Sequence, residues 1–477
     1  MSTQALQLNA RAISGRFRPL AIACACVTVG VVAGVSIARG EKLMLVPLLV
    51  FAGGAVVFSL RPESLFLGWF FLAPLLQNSA DQSPLGHQLV TALYLAPSLA
   101  LLVWTFAERD PRLSPTFIDA LPLAYLLCII ASFALTAADV RGPTGVSLRG
   151  IYKSVGIGVV GYYFLAFGPG RRITSTRFAR TILHTGIVVS VMGILDGVVG
   201  WNLWNDTGWH SGIRRAVGTL ANPALFGAFV GMCLAVALGI LVWRGPPRLR
   251  REAWTMLAVG LPAVFLTLTR GPILATVVAV IVITVSRSET RLLAAGVSVV
   301  AAVVLIASWG RIQTTNVYQQ RVVGVRAARN VEARVLLQDW SFKLAEDRPL
   351  FGWGYNSFDR VKNAEGLSSG NVPVTFGLQN TTSHNTWLTI LVEYGGVGLL
   401  LVVIPWVVIS WRSLKELILR HETRWFLTGA LGALSVYVIT ASTIDMRFFS
   451  FVPAVPWILL GFLRRHQRVE GHEYTSP

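Results

Sequence analysis

The sequence predicts an all-α polytopic membrane protein, a bundle of 12–14 transmembrane helices with one large extracytoplasmic loop that contains short amphipathic helices. Of the 477 residues, 54% are hydrophobic and only 13% are charged, whereas a soluble domain carries about 25% charged residues. The apolar residues come in many runs near the length that crosses ~30 Å of hydrocarbon as a helix. The short alternating segments that a transmembrane β-barrel requires are absent.

Fourteen candidate spans follow one another, and the range of 12–14 arises because the third and the tenth are short. They lie near residues 20–38, 43–60, 64–77, 89–106, 117–136, 151–168, 181–200, 216–243, 252–269, 272–286, 291–309, 385–410, 425–441 and 447–463. The predicted organisation is N-terminal transmembrane helices, central transmembrane helices with arginine motifs, the extracytoplasmic loop, C-terminal transmembrane helices and a cytoplasmic tail, at 1–209, 210–309, 310–384, 385–463 and 464–477.

The distribution of positive charge predicts the orientation of the bundle. With both termini in the cytoplasm, the inside connectors hold 23 Lys and Arg residues and the outside connectors hold 9 when the long loop is set aside. Short cytoplasmic loops carry such an excess, whereas long loops cross the membrane largely regardless of charge. The N- and C-termini are therefore expected in the cytoplasm and the long loop outside.

Charge and cysteine usage exclude several function classes. The formal charge is +18, but the arginines sit at the ends of apolar runs, so no nucleic acid partner is expected. The four cysteines lie inside apolar runs, without the spacing of a disulfide framework or a zinc site. Because the chain also lacks a P-loop, a dinucleotide-binding glycine fingerprint and an HExxH motif, we expect no metal and no cofactor.

The long loop contains an ordered element. The stretch VEARVLLQDWSFKLAED places four apolar residues at roughly helical spacing, namely Val335, Leu336, Trp340 and Leu344. This pattern predicts an amphipathic helix that rests on the membrane surface or on the bundle. Gly352 and Gly354 follow in FGWGYNSF and predict a tight turn.

Two arginines at the outer ends of spans are candidates for binding an anion. Arg270 lies between two apolar runs in FLTLTRGPILATVV, and Arg215 opens RAVGTLANPALFG with Arg214 beside it as a possible substitute. A guanidinium forks onto phosphate oxygens, and two arginines from different helices at one pocket would suit a diphosphate. The alternative for Arg270 is a snorkelling arginine at a helix–helix turn.

His384, where the loop meets the next span, is a candidate general base because an imidazole can take a proton from a hydroxyl near neutral pH. The alternative is an interfacial hydrogen-bonding histidine.

Glu393 lies nine residues after His384, half a turn out of phase on a helix, and is predicted as a buried hydrogen-bonding carboxylate. Arg334 is either a solvated surface arginine or a ligand for headgroups or an anionic glycan. Asn385, next to His384, is a possible supporting residue.

Four motifs in this order resemble the O-antigen ligase / O-antigen polymerase-like superfamily: RAVGTLANPALFG, TLTRGPILA, EARVLLQDW with DRPLFGWGYNSF, and HNTWLTILVEYGGVG. The resemblance covers roughly residues 210–410. It implies a metal-independent glycosyltransferase of the cytoplasmic (inner) membrane that moves an oligo- or polysaccharide from an undecaprenyl-diphosphate carrier to an acceptor. Arg215 and Arg270 match the family's diphosphate-binding arginines, His384 matches the catalytic loop histidine, and Arg334 matches a further loop arginine.

Several alternatives stay open within and beyond this resemblance. A ligase, a polymerase and a protein O-glycosylating transferase differ in the acceptor, which is a glycan, a lipid or a protein; membrane lipids are further partners. From another class, a lipid-linked glycan flippase or other polytopic transporter would also use many spans and membrane arginines. A transporter should show inverted repeats and charged residues at mid-membrane. The candidate residues here cluster at one membrane face, which favours an enzyme.

Overall fold

The computed structural model of this chain describes most of the predicted bundle. The described residues are 61–77, 84–108, 115–139, 151, 155–203, 209–210, 213–220, 222–291, 325–365, 382–419, 423–447 and 451–469. The spans predicted at 20–38 and 43–60, and nearly all of the one at 291–309, lie outside these residues.

Thirteen α-helices follow one another in the described part of the chain. They are α1 (Pro62–Leu76), α2 (Pro84–Ala107), α3 (Phe117–Asp139), α4 (Ile157–Ala166), α5 (Ser175–Ile194), α6 (Pro223–Val242), α7 (Pro247–Leu266), α8 (Arg270–Val285), α9 (Val325–Asp347), α10 (Phe358–Ala364), α11 (Thr386–Leu419), α12 (Arg424–Ala441) and α13 (Ala454–Val469). A short antiparallel ladder of β1 (Trp209–His210) and β2 (Ile213–Arg214) precedes α6.

The helices have the length and composition of membrane spans. Five are long and apolar enough to cross a bilayer, at Phe117–Ala134, Ser175–Val199, Pro223–Val242, Thr386–Leu417 and Arg424–Ala441. Shorter apolar helices, among them α1, α4 and α8, accompany them. The prediction of an all-α polytopic membrane protein is therefore confirmed, while the total of 12–14 spans includes residues outside the described part and stays a prediction.

Helix α6 forms the centre of the bundle. Nearly every residue from Pro223 to Val242 is buried, as expected for a helix that is apolar all round and surrounded by other helices. Its neighbours are α5, α7, α8 and α12. Gly239 of α6 lies against the backbone of Gly429 on α12, where a side chain would not fit. Small residues of this kind let membrane helices approach closely.

The connectors that the charge count predicts on one side meet at one end of the bundle. Ion pairs join them, namely Arg172 with Glu63 and Glu108, Arg180 with Glu252, and Arg464 with Asp119. Helices α5 and α7 begin at this end and run to the opposite end, so the residues that follow them lie together there. Those residues include the arginine motifs.

The predicted loop helix is present as α9, but its apolar face differs from the prediction. Leu337, Trp340 and Leu344 pack with residues of α10 and with Val392 of α11 in a second, smaller core. Val335 was expected on this face and is 61% exposed. The buried stripe instead passes through Leu337, which stands four positions after the buried Ala333, so the prediction for Val335 is wrong.

Two predicted span boundaries are also wrong. The span predicted at 216–243 begins only at Pro223, because Asn222 caps the helix by accepting the Ala224 amide at 2.8 Å. The span predicted at 385–410 continues to Leu419 and breaks at Gly395, which has a φ of 66° and a ψ of −169°. A helix cap sets the first boundary and the conformation of one glycine causes the break. Hydropathy predicts neither feature.

Candidate active site

Arg270 lies at the first position of α8, directly after the turn that ends α7. In this turn Leu268 adopts a left-handed φ of 48°. Thr267 fixes the turn, since its hydroxyl donates to the Val264 carbonyl at 2.7 Å and accepts the amide of Thr269 at 3.2 Å. The Arg270 side chain is exposed. It therefore presents a cation at a helix N-terminus, where the helix dipole also favours an anion.

Arg215 reaches the same turn from the extended segment that precedes α6. Its Nε donates to the Thr267 carbonyl at 3.0 Å, and its Nη2 donates to the hydroxyl of Thr269. The amide of Ala216 donates to the last carbonyl of α7 at 3.0 Å. These bonds bring Arg215 beside the residue that immediately precedes Arg270, so the two arginines share one turn.

Arg214, the possible substitute for Arg215, points to a different partner. Its Nη2 lies 3.3 Å from Oδ1 of Asp196, a carboxylate with no exposed surface. Of the two adjacent arginines, only Arg215 makes the bonds to the α7–α8 turn described above.

His384 lies two positions before Thr386, the first residue of α11, and has a left-handed φ of 52°. The buried Ser383 hydroxyl donates to the Asn385 carbonyl at 2.6 Å. The side-chain oxygen of Asn385 accepts the amides of Trp387 and Leu388 at 3.0 and 3.2 Å, which is the bonding pattern of a helix N-cap. Asn385 thus fixes the start of the helix next to His384.

The starts of α8 and α11 meet at the connection between α12 and α13, which we call the 442–447 segment. The hydroxyl of Thr386 donates to one carbonyl of this segment and accepts one of its amides, both at 3.0 Å. Gly271 packs on a threonine of the same segment so closely that any side chain at Gly271 would clash. Arg270 and His384 are within two residues of these contacts, so they lie at the same end of the bundle.

The charges at this end act on one another. Desolvation lowers the pKa of Arg334, and the charge of Arg270 lowers it further. Burial also lowers the pKa of His384 from its ordinary value of 6.5; the charge of Arg334 lowers it as well, and Asp445 opposes both. His384 is therefore neutral at pH 7 and able to accept a proton.

A buried ion network lies next to His384. Nη1 of Arg447 is 2.7 Å from Oε2 of Glu393, and its Nη2 is 2.9 Å from Oδ2 of Asp445. Oε2 of Glu393 also accepts the amide of Asn356 at 2.8 Å. Glu393 therefore connects α11 with the 442–447 segment and with the long loop.

The glycine turn of the long loop docks on the break in α11. The amides of Trp353 and Gly354 donate to the carbonyls of Val392 and Glu393 at 2.9 and 2.8 Å. Carbonyls just before a helix break lack helical partners, so the turn supplies donors to two carbonyls near the break at Gly395. These bonds fix the loop helices relative to α11. They therefore also fix the position of the loop, which carries the candidate residues Arg334 and His384, relative to the bundle.

Sequence reasoning misses three charged residues at this end: Asp196, Asp445 and Arg447. They occur in or beside apolar runs, within ILDGVVG and STIDMRFF. Ionisable residues near apolar spans are candidates for a buried pair or a functional role, and this signal could have found all three. It does not reveal the partners, which come from distant parts of the chain.

A small cavity of about 30 Å³ adjoins Arg447, between the indoles of Trp387, Trp406 and Trp457. A cavity of this size has room for about one water molecule. It cannot hold a sugar, so it is not where a glycan would bind. Within the described ranges, no group of three His, Cys, Asp or Glu side chains could hold a metal ion.

The arrangement combines three guanidinium groups with one neutral imidazole at the same end of a helical bundle. Such a set can bind a phosphate or diphosphate through the arginines and accept a proton at His384. The family model of the Wzy_C family, described as O-Antigen ligase, matches residues 255–403. This segment carries Arg270, Arg334 and His384.

The match confirms the predicted resemblance: residues 255–403 are similar to the O-antigen ligase family. The chain is thus a membrane protein that is similar to O-antigen ligases over this segment. Arg215 and the 442–447 segment lie outside the matched residues. No curated protein matches the chain in sequence.

Proposed function

We propose that this protein is a metal-independent glycosyltransferase that moves an oligo- or polysaccharide from an undecaprenyl-diphosphate carrier to an acceptor hydroxyl. The observation that carries the proposal is the meeting of Arg215 and Arg270 at one turn, with Arg334 and His384 coupled to it by charge. The O-antigen ligase match supports the reaction class. The excess of arginine in the connectors at the other end supports an active site at the outer face of the cytoplasmic (inner) membrane.

In this proposal the arginines hold the leaving group. Arg215 and Arg270 bind the diphosphate with charge-assisted hydrogen bonds and stabilise the negative charge that grows on it. The prenyl chain lies along the outer surface of α8, below Arg270, where Leu274, Val277 and Ile281 are about half exposed. An apolar face that begins at a cation suits a lipid with an anionic headgroup.

The reaction is a displacement at the anomeric carbon of the donor sugar. The oxygen of the acceptor hydroxyl forms a bond to this carbon as the bond from the carbon to the phosphate oxygen breaks. The carrier diphosphate leaves with the electron pair, and His384 takes the hydroxyl proton. Direct displacement inverts the anomeric centre. A glycan, lipid or protein acceptor supplies the same hydroxyl, so ligase, polymerase and protein O-glycosylation share this step.

Purified protein in lipid nanodiscs, supplied with a lipid-diphosphate glycan and candidate acceptors, tests the proposal. Release of lipid diphosphate on acceptor addition is the expected product. Arg215→Ala, Arg270→Ala and His384→Ala should each lower product formation by roughly 100-fold or more, with unchanged yield of folded membrane protein.

Two matched controls accompany these variants. His184 is an exposed histidine beside Glu252 at the other end of the bundle, and Arg360 is an exposed arginine of α10; replacing either by alanine should leave the rate unchanged. Full activity of His384→Ala would refute the base assignment. Translocation of the lipid-linked glycan without bond cleavage would refute transfer and support a transporter.

A further inference from the structure

Asp196 is a buried carboxylate at the arginine end of the bundle, and it has no part in the proposed reaction. It lies in a π-helical turn, Leu195–Val199, that directly follows α5, and it has no exposed surface. Such turns are frequent at functional sites. A buried carboxylate is costly unless charge-assisted hydrogen bonds satisfy it, so its partners indicate why it is there.

The bonds of Asp196 go to the segment that carries Arg215. Its Oδ2 accepts the amides of Val217 and Gly218 at 2.8 and 3.0 Å. Its Oδ1 lies 3.3 Å from Nη2 of Arg214. One carboxylate therefore holds the chain on both sides of Arg215.

Further contacts leave this segment little freedom. Gly218 has a left-handed φ of 54°, and Asn202 donates to its carbonyl at 3.1 Å. Gly200 has a φ of 91°, which strains any other residue, and it lies under the Arg214 guanidinium, which would have to move to admit a Cβ. On the opposite side, Ala216 bonds to the end of α7. The segment is clamped between the π-helical turn and α7, and this clamp directs Arg215 to the turn before α8.

We propose that Asp196 is the positioning residue of the anion site, which fixes residues 214–218 so that Arg215 reaches the donor diphosphate. Asp196 does not touch the donor, because two amides and Arg214 enclose its carboxylate. This inference rests on the proposed function, which makes Arg215 a diphosphate ligand. An Asp196 that served stability alone would lower the unfolding temperature on substitution without changing how the folded protein binds its donor.

A double-mutant cycle between Asp196 and Arg215 tests the inference. Steady-state transfer from a lipid-diphosphate glycan is measured for the full-length protein in nanodiscs, as kcat and as KM for the donor. Asp196→Asn keeps the size of the side chain and removes its charge, and we expect it to raise the donor KM roughly 10-fold, with a smaller effect on kcat. In an Arg215→Ala background the same substitution should change KM by less than about twofold, because the residue through which it acts is gone.

Asp119 provides the matched control. It is also fully buried and also pairs with an arginine, Arg464, but at the opposite end of the bundle. Asp119→Asn should lower the unfolding temperature and leave the donor KM unchanged. If Asp196→Asn does not fold, Arg214→Gln is the second variant: it weakens the same clamp, and we expect a KM increase of about threefold that again disappears in the Arg215→Ala background.

The outcomes separate the inference from the proposed function. A donor KM that Asp196→Asn raises in the unmodified protein, but not in the Arg215→Ala background, supports the positioning role. Three results overturn the positioning role while leaving the proposed function intact. Asp196→Asn does not change the donor KM, its effect on KM adds in full to that of Arg215→Ala, or Asp119→Asn raises KM equally. An unchanged kcat and an unchanged donor KM in Arg215→Ala itself overturn the proposed function at this residue, and the inference with it.

Discussion

Arg447 and Glu393 form a buried two-bond ion pair that joins the 442–447 segment to α11. Nη1 of Arg447 lies 2.7 Å from Oε2 of Glu393, and Nη2 lies 3.3 Å from Oε1. Asp445 shares the same guanidinium. One cation thus satisfies two buried carboxylates beside the proposed base. A buried charge becomes costly when its partner is removed. Because both carboxylates share the Arg447 guanidinium, substitutions in this network should differ in how much stability they remove.

Arg447→Leu should destabilise the protein more than Glu393→Gln does. The first substitution leaves two buried carboxylates without their cation, and the second leaves Arg447 paired with Asp445. We expect losses of roughly 3–5 kcal/mol for Arg447→Leu and about 1–3 kcal/mol for Glu393→Gln. Thermal unfolding of the detergent-solubilised protein measures the order. An Arg447→Leu protein that unfolds at the same temperature as Glu393→Gln, or above it, would contradict the shared pairing.

The pH dependence of transfer should respond to Arg334. A general base must be unprotonated, so kcat/KM falls as the pH drops through the pKa of His384. Burial and the charge of Arg334 hold this pKa below 6.5. Arg334→Gln removes this positive charge, so the pKa of His384 rises. The acid limb of the pH profile of kcat/KM then moves to higher pH. Measurement of kcat/KM between about pH 5 and 8 locates the limb.

Arg360→Gln is the control for this profile, because it removes an exposed positive charge from another helix of the same loop. Its acid limb should coincide with that of the unmodified protein. An unmoved limb in Arg334→Gln, or an equal shift in both variants, would show that Arg334 does not set the pKa of His384.

Hydropathy and charge predict the class of fold because the bilayer restricts a spanning segment to a helix of minimum length. Boundaries are less predictable where one residue decides them. Asn222 sets the start of one helix and Gly395 breaks another, at positions where the apolar pattern continues without interruption.

In the candidate site, the sequence predicts some of the residues but not their bonding partners. Motifs point to Arg270 and His384 because both stand at the ends of apolar runs. The partners are not predictable, since Arg215 bonds to a turn 52 and 54 residues away and Arg447 pairs with a glutamate 54 residues away. Contacts of that separation follow from helix packing, which a local sequence pattern does not report.

Asn385 should act through the stability of α11 rather than through chemistry. Its side-chain oxygen caps the helix, and replacing an N-cap by alanine costs about 1 kcal/mol. Asn385→Ser keeps an acceptor at this position and should cost less. Unfolding temperatures rank the two variants, and kcat for each is measured on the folded fraction. Loss of turnover in Asn385→Ala at an unchanged unfolding temperature would instead indicate a direct part in the reaction.

Gly395 and Gly396 should differ sharply when each is replaced by alanine. Gly395 adopts a conformation open almost only to glycine, and a Cβ there would run into the backbone of Leu350 and Phe351. At Gly396 the nearest atom to an added Cβ is the Pro349 carbonyl oxygen at 3.3 Å, which needs to shift only slightly. Gly395→Ala should therefore cost at least roughly 1–3 kcal/mol and release the glycine turn of the loop from α11.

Hydrogen exchange of the amides at 353 and 354, which bond to α11, measures this release. The two amides should exchange faster in Gly395→Ala and remain protected in Gly396→Ala. Equal protection in the two variants would mean that the break in α11 does not anchor the loop. The loop helices, with Arg334, would then have to be held against His384 by the small apolar core of α9, α10 and α11 alone.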